Sequence, residues 1–410
     1  MGTPSITDIT YRYERRRAVA SGILETAGNT FLLLVVVRWF IDAGPTAKAL
    51  VAGGGSAGLF ISPLVVSAVA RLGWKTSIAA SRLAMCGAAC FLIMAAIPVL
   101  PVFVVGSILG LTASAAAIPL LTQIYQENYP AAERGHLFSR TFVIRIGTAA
   151  LFSEFAGQLM SRHIESFRVL LLIFAGCFAL SAHCLARCPS RPLTAVGGTH
   201  PLRSLRFARE DKLFRRTLVS WMLMGFANLM MLPMRVEYLA NPKYNLALTI
   251  GEIAFLTGVV PNAARLVMSP VWGWLFDRMN FFMLRVTLNA GFAIGILAFF
   301  TSSDVKGLII GAVVFGISNA GGDVAWSLWV TKFSPPDHVA DYMSVHTFFT
   351  GLRGILAPLA AFHLVQTYQV VTLGWIAAAL IFGASLLLLP EIRFGRRGAK
   401  GGTLIEEVSE

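Results

Sequence analysis

Six charged residues stand deep inside runs that are otherwise apolar or small. Three are acids, Glu25, Glu154 and Asp323, and three are arginines, Arg145, Arg265 and Arg353. An arginine presents paired donors in a fixed fork that matches a carboxylate or a phosphate. A buried carboxylate favours its neutral form unless a cation stands beside it, which suits it to carrying a proton or to an ion pair. The run around Arg353, FTGLRGILAP (349–358), adds glycines that let helices approach and a proline that bends the segment. Asn29, Asn228, Asn262, Asn319 and Gln123 can hydrogen-bond a polar solute. Trp326 and Trp329 follow Asp323 by three and six residues, on one face of a helix. Their indoles suit either stacking on a sugar or cation, or anchoring at a membrane interface.

The elements that must hold these residues are membrane-spanning helices. The chain has 410 residues, 56% hydrophobic and 13% charged, with a mean hydropathy of +0.69. Soluble domains carry about 25% charge. Apolar stretches recur along the whole chain, each long enough to cross a bilayer about 30 Å thick as a helix. The expectation is an all-α polytopic membrane protein with twelve spans, at 18–40, 47–70, 76–98, 102–126, 138–162, 167–188, 214–238, 248–275, 281–301, 306–330, 343–366 and 370–390. The spans divide into bundles at 18–188 and 214–390, joined by a loop at 189–213 and flanked by segments 1–17 and 391–410. Tyr11 to Arg17 run straight into a span too long for a cleavable signal core.

Charge sets the orientation. With both termini in the cytoplasm, Lys48, Arg162, Arg168, Lys243 and Lys306 fall outside, and most other loop lysines and arginines fall inside. The net charge of +13 is then a matter of topology, and no nucleic-acid partner is expected. The basic segment PLRSLRFAREDKLFRR (201–216) is expected to lie along the inner surface as a short amphipathic helix. Five cysteines without a pairing pattern imply no disulfide framework, and helix packing accounts for His183, Cys184 and Cys188 better than a metal site. No phosphate-binding glycine loop with its Lys-Ser/Thr occurs, nor a nucleophile–base–acid order, so neither an enzyme nor a cofactor is expected.

The two halves match each other. Pro130 and Ser139 in YPAAERGHLFS recur as Pro335 and Ser344 in SPPDHVADYMS, half a chain length on. ARLGWK (70–75) stands at nearly the same offset from DRMNFF (277–282). Both matches indicate a duplicated six-span unit. Twelve spans, a duplicated half, a basic central loop and inner termini together resemble the major facilitator superfamily of secondary transporters. The most specific local match is GWLFDR, Gly273 to Arg278. The resemblance implies that Gly273, Asp277, Arg278 and, from the first half, Arg71 form a cytoplasmic gate. Ala70 stands where Asp277 does, so the second half would carry the latch. GSILG places Gly106 where the family has an intramembrane arginine, and GTAALFSEFAG (147–157) lacks the antiporters' Gly-Pro pair.

In that family, spans 1, 4, 7 and 10 line a central cavity, spans 2, 5, 8 and 11 flank it, and the rest face lipid. The six deep charges avoid the lipid-facing set, so Arg353 is expected to face the space between the halves. The resemblance thus implies a secondary transporter working by alternating access, and the deep arginines suit a small polar or anionic solute. Short loops and tails suit a bacterial inner membrane, and a monomer is expected. Arg353, Arg145, Arg265, Asn29, Asn228, Asn319 and Trp326 are the candidate substrate residues. Glu25, Glu154 and Asp323 are the candidates for proton coupling or ion pairing. Two alternatives stand beside it: export of amphipathic cations, and a receptor or scaffold that keeps the fold without transport.

Overall fold

The structure, a computed structural model, describes residues 5–193, 203–334 and 339–394. Twelve long helices dominate it. They are α1 (Ile6–Arg38), α2 (Pro45–Arg71), α3 (Thr76–Ala96), α4 (Leu100–Asn128), α5 (Ala131–Arg162) and α6 (Ile164–Arg187). The second six are α7 (Lys212–Ala240), α8 (Ile250–Phe276), α9 (Phe281–Phe300), α10 (Val305–Leu328), α11 (Val339–Leu364) and α12 (Val370–Leu386). Eleven of them are long and apolar enough to cross a membrane. The other, α5, has the length, at 32 residues. Arg145, Glu154 and Gln158 lower its apolar content.

Local chemistry explains the helix ends and bends. Ser5 and Asp8 close a reciprocal capping box at the start of α1, and Thr249 and Glu252 do so for α8. Proline stands near the start of α2 and again inside α2, α7, α8 and α11, at Pro63, Pro233, Pro270 and Pro358. Each interior proline removes a helix hydrogen bond and bends its helix. Two helices carry a wide turn instead: Ala27–Phe31 in α1 and Phe255–Val259 in α8 are single π-helical turns.

The described residues pack into two units. Unit 1 takes the chain through Pro201 together with Leu239–Val259, and unit 2 takes Leu202–Tyr238 and the chain from Val260. Within unit 1, α2 packs on α4, α3 on α4, and α3 on α6. Within unit 2, α8 packs on α10, α9 on α10, and α9 on α12. These are the same three pairings, six helices on, as a duplicated unit requires. The segment Leu239–Val259, second-half by sequence order, is tied into unit 1. Arg38 donates to the Leu248 carbonyl at 2.9 Å, Gly251 N–H to Ser161 Oγ at 2.6 Å, and Thr30 to Thr257 across the two π-turns at 3.2 Å.

Two expectations change. The first helix begins at Ile6, so residues from there to 17 are helical. Glu14, 2% exposed, takes both forks of Arg17 at 2.6 and 2.9 Å and the hydroxyl of Tyr125 at 2.7 Å. These charges join the start of α1 to α4 in a packed corner of unit 1. The central segment forms no continuous amphipathic helix over its described part. A 3-10 turn (Arg203–Arg206) and one helical turn (Phe207–Glu210) stop at Asp211. Phe207 packs on Tyr342 at 5.0 Å between ring centroids, and Asp211 caps α7 and accepts from Tyr342. The ring contact draws Phe207 into protein instead of lipid.

Gly22 sets the approach of α1 to α5. A Cβ there would lie 2.3 Å from the Arg145 carbonyl and 2.9 Å from Thr148 Cβ, whereas nothing lies within 4 Å of one at Gly147. Gly22→Ala is therefore expected to destabilise the detergent-purified protein by about 1–3 kcal/mol. Gly147→Ala should be neutral or slightly stabilising. Thermal unfolding of the two variants side by side checks this.

Candidate functional site

Four of the six deep charges cancel in pairs. Arg145 Nε on α5 meets Glu25 on α1 at 2.6 Å within unit 1. Arg265 Nε on α8 meets Asp323 on α10 at 2.5 Å within unit 2, with the arginine side chain 4% exposed and the carboxylate 28%. Asn262 accepts from Arg265 at 3.4 Å. A paired charge at membrane depth costs far less than a lone one, so both pairs brace their helices. Glu154 accepts from Gln158, one turn along α5, at 3.0 Å.

Arg353 is arranged differently. The sequence turns it toward the space between the halves, but its guanidinium lies inside unit 2, against α7. Nη1 donates to the Trp221 carbonyl, and Nε has no acceptor. The absence of a side chain at Gly225 makes this possible: a Cβ there would fall 2.0 Å from Nη1 and 2.1 Å from Cζ. Arg285 of α9 lies near enough to feel the Arg353 charge. It is wholly buried, with its guanidinium 3.7 Å above the Trp221 ring and Nη2 donating to Asn289 at 3.2 Å. Asn289 in turn donates to Ser385 at 3.0 Å. His346, also wholly buried, is ringed by Trp221, Trp326 and Trp329 at 5.4, 5.6 and 5.1 Å between centroids. Both guanidiniums act electrostatically on it. No described salt bridge neutralises Arg285 or Arg353.

The other candidates scatter. Asn29 is exposed on the π-turn of α1, and Asn319 is half-buried on α10. Gln123 donates to Glu127 at 2.8 Å. Asn228 lines a small cavity of unit 2 with Arg235 and Phe315. Its Oδ1 and two Arg235 nitrogens are buried without partners, and the Arg235 guanidinium sits 3.8 Å over the Phe315 ring. Trp329 is fully buried, so it is a core residue of unit 2 and not an interfacial anchor. At the expected gate, Arg71 and Arg278 are exposed and Gly273 is half-buried. Arg278 covers the Trp274 ring at 4.5 Å. The side chain of Asp277 lies outside the described ones.

Sequence reasoning missed Arg285, His346 and Trp221. Arg285 stands near a helix start, where an arginine ordinarily reaches for the interface. A usable signal existed on α7. Trp221, Gly225, Asn228, Leu232 and Arg235 recur at spacings of three and four, one helical face interrupted by a glycine. Because Gly225 seats the guanidinium, Gly225→Ala and Arg353→Ala should be coupled. In a double-mutant cycle read by thermal unfolding, the double variant is expected to be less destabilised than the sum of the singles, by about 0.5–3 kcal/mol.

Comparison with known proteins bears on the whole arrangement. Residues 234–407 match the model of the Major Facilitator Superfamily. No curated protein matches the chain in sequence. Among solved structures, a variant of the nucleoside transporter NupG superposes with a TM-score of 0.74 at 13% identity, over 93% of this chain and 99% of that one. A bacterial homologue of the human lysosomal transporter Spinster gives 0.68 at 12% identity, over 96% and 98%. A D-xylose–proton symporter gives 0.64 at 16% identity, over 93% and 95%. The second half of the chain thus matches the Major Facilitator Superfamily model, and nearly its whole length takes the fold of these solved transporters.

Proposed function

We propose that this transporter moves a small polar solute carrying an anionic group, by alternating access of its two bundles, and that Arg353 recognises the anion. The observation that carries this is the contrast among the deep arginines. Arg145 and Arg265 each hold a carboxylate, whereas Arg353 is buried beside a second cation with no acid described against it. A cation held this way favours a ligand that brings the missing charge. Structural neighbours named for nucleoside and xylose transport lend weight to a polar solute.

Proton coupling is part of the same reading. Asp323 is the more exposed partner of its pair, so a proton reaching it would release Arg265 and loosen α8 from α10. Charge distribution supports cytoplasmic termini in a bacterial inner membrane, with the protein acting as a monomer. Gly273, Asp277, Arg278 and Arg71 would then form the cytoplasmic gate. Glu154, a deep acid with no described ion pair, favours a second reading, export of amphipathic cations.

Uptake into sealed vesicles of purified protein tests both. Arg353→Gln is expected to lower uptake of an organic anion by about tenfold or more, with Arg353→Lys retaining part of it. Loss of cation export on Glu154→Gln, with anion uptake absent in the unaltered protein, would establish the second reading instead. Imposing a pH gradient should accelerate uptake by the unaltered protein and leave Asp323→Asn unresponsive. Indifference of the unaltered protein to the gradient would remove proton coupling.

A further inference from the structure

We propose that Arg285, Arg353 and His346, with the indole N–H groups of Trp221 and Trp329 and the hydroxyl of Thr350, form a closed receptor for one oxyanion, a carboxylate or phosphate group. This deepens the anionic-solute reading and rests on it.

The case is made by what the cluster lacks. Nε and Nη1 of Arg285, Nε of Arg353, and Nε1 of Trp221 and of Trp329 are all buried without an acceptor. So are Thr350 Oγ1 and both ring nitrogens of His346. Guanidinium and indole nitrogens can only donate. The cluster therefore holds at least five donors and no acceptor aimed at them. It also gathers two guanidiniums and a titratable ring around the one residue Trp221. Side chains of these types buried with so many unmet donors are rare.

The identity of the missing partner follows from that inventory. A water can accept from two of these donors but brings no charge to offset the two guanidiniums. A neutral solute supplies acceptors but leaves two repelling guanidiniums. An oxyanion supplies several acceptor lone pairs and the opposite charge in one group, and an arginine fork is shaped to receive it. The residues come from α7 (Trp221), α9 (Arg285), the 3-10 turn that follows α10 (Trp329) and α11 (His346, Thr350, Arg353), all within unit 2. The rings that enclose the cluster keep water away and so strengthen any charge pairing inside it.

The test titrates the full-length, detergent-purified protein with inorganic phosphate and with acetate at fixed ionic strength, chloride making up the balance. Tryptophan emission and thermal midpoint are read together. At least one of the two is expected to change both, saturably. Phosphate alone would assign a phosphate group, acetate alone a carboxylate, and both together the shared chemistry. Arg285→Gln should weaken the effect by about tenfold, one hydrogen-bonded charge contact. Trp329→Phe, which keeps the ring and loses only its N–H, should weaken it a few-fold, and it decides the matter if Arg285→Gln does not fold. Arg162→Gln, at an exposed helix end, should leave it unchanged. No saturable response to either oxyanion, an equal response to chloride, or a response undiminished in both cluster variants would overturn the proposal. Saturable oxyanion binding without anion flux in vesicles would remove the transport reading and leave the receptor standing. Anion flux that depends on Arg353 but ignores Arg285 and Trp329 would do the reverse.

Discussion

A charge inside a bilayer has to find its counter-charge within the protein. An arginine at the centre of a spanning helix costs about 2.5–3.5 kcal/mol even on the mildest scale. That constraint organises this molecule. Glu25 with Arg145 ties α1 to α5, and Asp323 with Arg265 ties α8 to α10. Each pair lies inside one packing unit, so each unit carries its own electrostatic brace. Where Arg285 of α9 and Arg353 of α11 meet against Trp221 of α7, no described acid meets the constraint.

Repetition of the fold does not extend to its chemistry. The three helix pairings of unit 1 recur in unit 2, yet the polar clusters do not correspond. Unit 1 builds its buried network from Glu14, Arg17 and Tyr125, where acid, base and phenol satisfy one another. Unit 2 gathers the cations Arg285 and Arg353 with indoles, and no described acid pairs with them. One half has a saturated network and the other an open valence, and that difference points the search for specificity at the second half.

Span positions, helix count and the duplicated pattern could be read from the chain, because apolar length and loop charge are strong, local signals. The deep charges could be read too, and equal numbers of acids and bases allowed for pairing, which four of the six take up. Which arginine was left over could not. Arg353 is seated by the missing side chain of Gly225, more than a hundred positions earlier. Arg285 looked like an interfacial residue until the face of Trp221 claimed it. His346 carried no motif at all. Such contacts depend on how helices rotate about their own axes, which periodicity constrains only to within a face.

The paired π-turns carry a consequence for that rotation. A π-turn accommodates one residue more than the α-helix around it, so the segments on either side are out of phase by about 100°. In α1, Glu25 lies before the wide turn Ala27–Phe31 and Arg38 after it. One stretch of chain thus presents its acid to α5 before the wide turn and its terminal arginine to the Leu248 carbonyl after it. Relatives with an unbroken first helix would differ here by a single inserted or deleted residue. An alignment forced to run without a gap through this turn would then pair every later position of the helix with the wrong face.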